Sequence, residues 1–253
     1  MIDLHCHLLP GVDDGSRTVE QSVKVLAAMR ASGVTAVCLT PHHSVRRVSR
    51  GLPASHDKAY AALRAAAPKG IELHRGVELM LDRPVSLKLR EMPGLTLGDT
   101  KYILVEFTRL VSVQAALSGL YQIVQLGLVP VMAHPERYRA CTPYAVRQWK
   151  AVGALMQVDA TTLMTGRGRG QRARDLLGHG LADIMAADNH GDDRMIGTAY
   201  QFLVVAGGAA QADLLAQKNP GAIMSGGEIV PVPPLAVKTG LIDKLKQLWG
   251  NQE

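Results

Sequence analysis

Aromatic residues are scarce in this chain: two Trp, six Tyr and two Phe, 4% of 253 residues. Its core must therefore be built from Val, Leu, Ile, Ala and Met. No aromatics interleave with the basic residues to stack nucleic-acid bases, so no nucleic-acid partner is expected. Cysteine is also rare, and Cys6, Cys38 and Cys141 do not make a disulfide framework. No apolar run is long enough to span a bilayer. The chain opens on MIDLHCHLLP, with neither a basic stretch nor a cleavage signal ahead of it. Together these absences exclude a secreted disulfide scaffold and stable membrane insertion, and the expectation is a cytoplasmic, soluble protein.

What is present is apolar and patterned. Hydrophobic residues make up 47% of the chain, and the length fits one large α/β barrel or two small domains. No linker interrupts the first 228 residues. Runs rich in Val, Ile and Leu recur every 26 to 36 residues, at Ile2–His7, Thr35–Pro41, Ile71–Leu79, Tyr102–Phe107, Val129–His134, Leu155–Ala160 and Ala182–Ala187. Helical patterns lie between them. Thr18–Ala31 places Val19, Val23, Leu26, Ala27 and Met29 largely on one face, and Ser112–Gln125 does so with Val113, Ala116, Leu117, Leu120 and Ile123. Pro143–Gly153, Arg172–Gly178 and Ala199–Gln217 fill the later intervals. Strand alternating with helix predicts parallel strands joined by crossovers, seven strands in all.

The tail differs. Pro231, Pro233 and Pro234 break regular structure after Ile229, and a short basic amphipathic helix is expected over Ala236–Trp249, packed back onto the barrel, with membrane or partner contact as the alternative. The domain reading is a barrel over 1–229 followed by a Pro-rich linker and this helix over 230–253. The formal charge is +6, with arginines clustered at Arg46, Arg47 and Arg50 and at Arg167, Arg169, Arg172 and Arg174. Such clusters are either solvated surface or a field that attracts an anionic partner.

The strand ends carry the chemistry. His5, His7, Asp14, His42, Glu78, Glu106, His134, Asp188 and His190 all arrive where an apolar run stops. A barrel of parallel strands gathers such ends at one mouth. Residues i and i+2 of a strand share a face, so His5 and His7 aim one way and Cys6 the other. Val-Asp-Asp-Gly follows on a turn; one of Asp13 and Asp14 is expected to reach the metals and the other to cap the helix near Thr18. Of the neighbours His42 and His43, at most one should be a ligand, the other lying behind it or facing solvent. Glu78 and Glu106 each read as a salt-bridge partner when taken singly, but as metal ligands when taken with the histidines. His56, His74 and His179 match no strand-end pattern. Five imidazoles and four carboxylates at one mouth suit more than one divalent cation.

Such cations activate a bridging water and neutralise charge on phosphoryl oxygens. Arginine completes that chemistry through its planar fork. Arg137, three residues past His134, and Arg194, four past His190, are the best placed.

Read together, Met1-Ile-Asp-Leu-His-Cys-His7, Val-Asp-Asp-Gly, Thr-Pro-His, Gly-Val-Glu, Val-Glu-Phe, Ala-His-Pro-Glu-Arg-Tyr and Ala-Asp-Asn-His resemble the polymerase-and-histidinol-phosphatase (PHP) superfamily. Within it the chain is similar to bacterial protein-tyrosine phosphatases found with capsule and exopolysaccharide synthesis genes. The resemblance runs in order from residue 1 to about 229. It implies a distorted (β/α)7 TIM-like barrel and three divalent metal ions, usually manganese, with iron, cobalt, magnesium and zinc as alternatives. It also implies dephosphorylation of a partner tyrosine autokinase. Carried over residue by residue, one metal takes His5, His7, Glu78 and Asp188. A second takes Glu106 and His134 and shares Glu78, and a third takes Asp14, His42 and His190. Arg137 and Arg194 hold the phosphoryl group. The loop after His190 is a residue shorter than the family pattern, and Asp159 stands where an uncharged residue is expected.

Three rivals remain. Cys141-Thr-Pro-Tyr-Ala-Val-Arg147 matches the Cys-x5-Arg spacing of cysteine-dependent tyrosine phosphatases, but Pro143 removes a phosphate-binding N–H and no glycine is present. A metal phosphoesterase acting on histidinol phosphate or nucleic acid 3′ ends is the alternative within the superfamily. A metal-bearing regulatory protein without turnover is the third. The oligomeric state stays open, a homo-oligomer included.

Overall fold

Among the described residues the seven expected strand positions become nine strands: the Ile71–Leu79 run is broken at Gly76, and a short extra strand follows the Thr35–Pro41 run. The computed structural model, which describes residues 1–48, 51–166 and 168–237, contains β1 (Ile2–Cys6), β2 (Ala36–Leu39), β3 (His42–Ser44), β4 (Glu72–Arg75), β5 (Glu78–Met80), β6 (Tyr102–Glu106), β7 (Val129–Ala133), β8 (Leu155–Asp159) and β9 (Ile184–Ala186). Every ladder between them is parallel. One sheet runs β1-β2-β4 and the other β3-β5-β6-β7-β8-β9. Pro41, which has no N–H to give a ladder, separates β2 from β3. Gly76 stands at the second break, where a Cβ would come within 3.1 Å of both Cys38 Sγ and a Leu97 methyl. The end of β9 returns to β1 through the His7 N–H, which donates to Asn189 O at 2.7 Å. Between β4 and β6 no ladder forms among the described residues. The result is a distorted, incompletely closed α/β barrel.

Strand parity builds the interior. Tyr102 and Leu104 of β6, Val131 and Ala133 of β7, and Ile184 of β9 form one buried cluster with Leu4 and Cys38. These are alternate positions, so the same face continues upward to Glu106 on β6, to Gln157 and Asp159 on β8, and to Asp188 past β9. In β1 the pairing with β2 slips between Asp3 and Cys6. A bulge of this kind lets His5 join the interior directly after Leu4.

Helices cover the outside: α1 (Val19–Ala31), α2 (Val45–Val48), α3 (Ala54–Ala66), α4 (Val113–Gln125), α5 (Pro143–Ala151), α6 (Ala160–Leu163), α7 (Arg169–Gly178), α8 (Ile196–Val205), α9 (Ala209–Asp213) and α10 (Asn219–Met224). In α1 the buried face is Ser22, Val25, Leu26 and Met29, and Ala27 is exposed, contrary to the expected stripe. Thr18 caps this helix itself, accepting from the Gln21 N–H, so neither Asp13 nor Asp14 is needed there. Helix α7 starts three residues before the expected Arg172. The expected helix over Ala199–Gln217 divides into α8 and α9 at Gly207, whose φ is 85°. Helix α3 has no counterpart among the expected helices, because its buried face is only His56 and Leu63. No helix among the described residues is long and apolar enough to cross a membrane. Arg50, Arg167 and the expected basic helix from Lys238 onward lie outside the described residues.

The proline-bearing segment is tied to the barrel rather than trailing from it. Buried Asn219 donates to Asp183 O and Val230 O, both at 2.8 Å, and accepts the Val230 N–H at 2.9 Å. Val232 is buried as well, and Leu235 donates its N–H to Leu177 O. Replacing Asn219 with Ala leaves those buried backbone groups unpaired. The expected loss is about 2 kcal/mol of stability in urea unfolding, and an unchanged midpoint would refute this role.

Candidate metal centre

His5 and His7 define the centre. Their Nε2 atoms lie 3.1 Å apart, and each ring is set by a partner behind it. His5 Nδ1 donates to Gln157 Oε1 at 2.9 Å, and His7 Nδ1 donates to Asp13 Oδ2 at 2.8 Å. With Nδ1 committed, Nε2 is the inward atom of both rings. Glu78 Oε2 is 3.2 Å from His5 Nε2 and 3.3 Å from His7 Nε2, while Asp188 Oδ1 is 3.2 Å from both. All four side chains are buried. No hydrogen bond satisfies Glu78 Oε2 or Asp188 Oδ1.

Local backbone brings these groups together. The Asp13–Gly15 turn packs on the end of β1, where Ser16 donates its N–H to His7 O. A Cβ on Gly15 would lie 1.9 Å from that same oxygen, so only glycine fits. His134 and Asp188 have φ of 34° and 49°, the left-handed region that non-glycine residues avoid. The chain turns at both strand ends, and both side chains enter the mouth.

His42 lies between two further groups of donors. Its Nδ1 is 2.9 Å from Glu78 Oε2 and 3.1 Å from Glu106 Oε1, and its Nε2 is 3.5 Å from Asp14 Oδ1. Asp14 also lies 3.6 Å from His190 Nε2. His134 Nε2 meets Glu78 Oε1 at 2.9 Å. Donor atoms lie within 4.8 Å of one another in three sets: His5, His7, Glu78 and Asp188; His7, Asp14, His42 and His190; and His42, Glu78 and Glu106. All nine expected residues therefore meet at one mouth. The grouping differs from the expected sets in two ways: His7 also borders the Asp14 set, and His42 rather than His134 stands with Glu106.

The electrostatics call for positive charge. Burial disfavours charge on His5, but the Glu78 and Asp188 carboxylates outweigh it and raise its pKa. His7 rises in the same way, through Asp13, Asp188 and Glu78. His42 is pushed up to about 10, with Glu106 and Glu78 overcoming burial. Glu78 is buried, yet His5, His134 and His42 hold it well below the usual carboxylate range. Imidazole nitrogens and carboxylate oxygens that converge without a hydrogen-bond donor suit borderline divalent ions such as Mn, Fe, Co or Zn.

Both expected arginines reach this mouth, in a cavity of about 280 Å³. Arg137 pairs with Asp159 and Asp188 together. Arg194 is bound through its fork by Asp192, at 2.7–3.0 Å, and its Nη1 is 3.6 Å from Asp188. Asp159 thus faces Arg137 while also capping α6 through the Thr161 and Thr162 N–H groups. Sequence reasoning missed Gln157, which sits two residues before Asp159 on the interior face, and it missed Phe107, Arg109 and Tyr138, which line the cavity. Asp13 was expected as a ligand or a helix cap and is neither: it orients His7 and accepts the His42 N–H at 3.0 Å. His43 does not face solvent; it is buried with its ring 4.9 Å from that of His56. Cys141 is buried, and burial pushes its thiol up to about 12, which is wrong for a nucleophile.

A family model described as capsular polysaccharide synthesis, CpsB/CapC, matches residues 1–225. The chain is 32% identical over 197 residues to the tyrosine-protein phosphatase YwqE of Bacillus subtilis, covering 75% of this chain and 77% of that protein. It is 30% identical over 245 residues to the tyrosine-protein phosphatase CpsB of Streptococcus pneumoniae, covering 88% of this chain and 98% of that protein. It also superposes on a crystal structure from work on YwqE and CpsB, described there as metal-dependent tyrosine phosphatases. The TM-score is 0.77 at 25% identity, over 94% of this chain and all of the other.

Asp13 touches no inward nitrogen, so its effect on metal binding should be indirect. Asp13→Asn is expected to weaken Mn²⁺ binding by about tenfold in calorimetric titration of the metal-free chain, the usual scale for a residue that orients a ligand. Glu78→Gln should lose far more. Equal, wild-type isotherms for both variants would contradict the geometry.

Proposed function

Because this chain belongs to the CpsB/CapC family of capsular polysaccharide synthesis proteins, we propose that it is a metal-dependent protein-tyrosine phosphatase. The observation that carries this reading is the buried meeting of His5 and His7 Nε2 with Glu78 and Asp188 oxygens that no hydrogen bond satisfies. His5, His7, Glu78 and Asp188 would hold one divalent ion, Glu106, His134 and Glu78 a second, and Asp14, His42 and His190 a third, with His7 also within reach of the third group and His42 of the second. We assign manganese to them, and a bacterial tyrosine autokinase of the capsule machinery as the phosphoprotein partner.

When bound, such ions lower the pKa of a coordinated water and offset charge growing on the phosphoryl oxygens. The protein supplies the rest. Asp13 and Gln157 keep the His7 and His5 rings turned inward. Arg137 and Arg194 offer planar N–H pairs to the remaining phosphoryl oxygens. Asp159 and Asp188 hold the Arg137 guanidinium at the mouth before substrate arrives, which removes an ordering step. Phe107 and Tyr138 form a buried edge-on pair behind the cavity wall, with centroids 6.2 Å apart. The Tyr138 hydroxyl donates to Ala133 O and accepts the Phe107 N–H, so that ring is fixed. A tyrosine leaving group has a pKa near 10 and needs less proton assistance than an alkyl alkoxide. No cysteinyl-phosphate forms, because the thiol that opens the Cys-x5-Arg match is buried.

The test compares a phosphotyrosine peptide, a phosphoserine peptide, histidinol phosphate and a short oligonucleotide, each with chelator and after Mn²⁺ is restored. Phosphotyrosine should be the preferred substrate, and its turnover should vanish with chelator and return with the ion. His5→Ala or Glu78→Ala should lower turnover by about a thousandfold or more, as loss of several kcal/mol of metal stabilisation requires. Cys141→Ser should keep the wild-type rate. Activity that survives chelation, or a folded His5→Ala enzyme of normal rate, would overturn the assignment.

A further inference from the structure

Beside the metal pocket opens a second, larger cleft of about 1180 Å³, and the two share His42 and Glu106 on their common wall. Nothing in the chemistry above uses it. Its other walls come from the end of β3, from α2 and from the start of α3, and they carry His43, Ser44, Arg46, Arg47 and His56.

His43 is the informative residue. It is 6% exposed, yet neither ring nitrogen has a hydrogen-bond partner. A buried imidazole left in that state is costly unless something fills its hydrogen bonds. Its ring lies against that of His56 rather than against an acid. Arg47 is exposed on the same wall and makes no ion pair among the described residues; only its backbone N–H is engaged, by Ser44 Oγ. The carboxylates on the cleft wall are Glu106, a ligand in the reading above, and Asp82, which lies 3.9 Å from Arg83. The Arg47 guanidinium and the His43 ring nitrogens are thus left without a partner among the described residues, in a cleft that shares His42 and Glu106 with the phosphoryl site.

We propose that this cleft is a specificity subsite for the peptide chain beside the phosphotyrosine, with His43, His56 and Arg47 receiving an acidic side chain close to it in sequence. The proposal rests on the phosphotyrosine reading and adds a substrate class to it: acidic-flanked sites over neutral ones. A guanidinium meeting a carboxylate in a partly enclosed cleft gives a charge-assisted pair, and its location away from the reacting phosphorus makes it a determinant of selection rather than of chemistry.

The experiment uses the full, Mn²⁺-loaded enzyme and two phosphotyrosine peptides that differ only in Glu or Gln at the flanking positions. Each is assayed for kcat/KM, and its non-hydrolysable difluoromethylphosphonate analogue is measured for binding by anisotropy. The wild type should favour the Glu peptide by about tenfold in both readouts, the scale of one good charged pair. Arg47→Ala should bring the ratio near one, and Arg47→Glu should invert it. The Gln peptide is the internal reference, so a general loss of folding moves both values and leaves the ratio alone. A ratio of one in the wild type, or a preference that persists in both variants, overturns the subsite and leaves the phosphatase reading standing. No phosphate released from either peptide overturns both.

Discussion

Glu78 Oε2 and Asp188 Oδ1, both buried, face two inward imidazole nitrogens, and no hydrogen bond satisfies either oxygen. That single requirement for positive charge organises the rest of the mouth. Burying an unpaired carboxylate in an apolar barrel is prohibitively unfavourable, so the pair is tolerable only where cations, imidazolium protons or guanidinium groups converge. Glu78 meets His5, His7, His42 and His134, which arrive from three other segments of the chain. Asp188 meets His5, His7 and Arg137. The elements of the barrel are held in register by what these two residues need as well as by the apolar interior below them.

The fold meets that requirement by departing from a regular barrel at the places where the donors stand. A slip in β1 carries His5 inward after Leu4. Breaks at Pro41 and Gly76 separate β3 and β5 from β2 and β4, which leaves His42 opposite Glu78 at the start of a ladder. Left-handed backbone at His134 and Asp188 turns two strand ends toward the centre. Such conformations cost on the order of 1–3 kcal/mol each and persist because packing around them is dense. Distortion is concentrated on the functional side of the molecule, where it aims side chains.

The arginines show how charge is balanced around the centre. Arg137 is held by two acids, so it is positioned before any ligand arrives, and Asp159 has a definite task despite its unusual charge. Arg194 is bound to Asp192 in its own short loop, and a phosphoryl group must compete with that carboxylate. In the neighbouring cleft Arg47 makes no ion pair among the described residues, and both His43 ring nitrogens lack a hydrogen-bond partner. One mouth thus sets a pocket carrying Arg137 and Arg194 beside a wider cleft carrying His43, Arg47 and His56.

Much of this was legible in the sequence, for physical reasons that apply before folding. The i, i+2 spacing of His5 and His7, the arrival of an acid or imidazole at the end of apolar runs, and Pro143 inside the Cys141–Arg147 match are local properties. Together with strand–helix alternation they determined the parallel barrel, the side of it that matters and the residues that gather there. Tertiary structure decided what depends on distances between segments far apart in the chain. It made Asp13 an orienting partner rather than a helix cap and placed Gln157 behind His5. It set His42 between Asp14 and the Glu78–Glu106 pair, and it turned His43 into a different cleft. Periodicity tells which face a side chain shares, but a hydrogen-bond partner 152 residues away, as Gln157 is from His5, is chosen only when the barrel brings the two strands together.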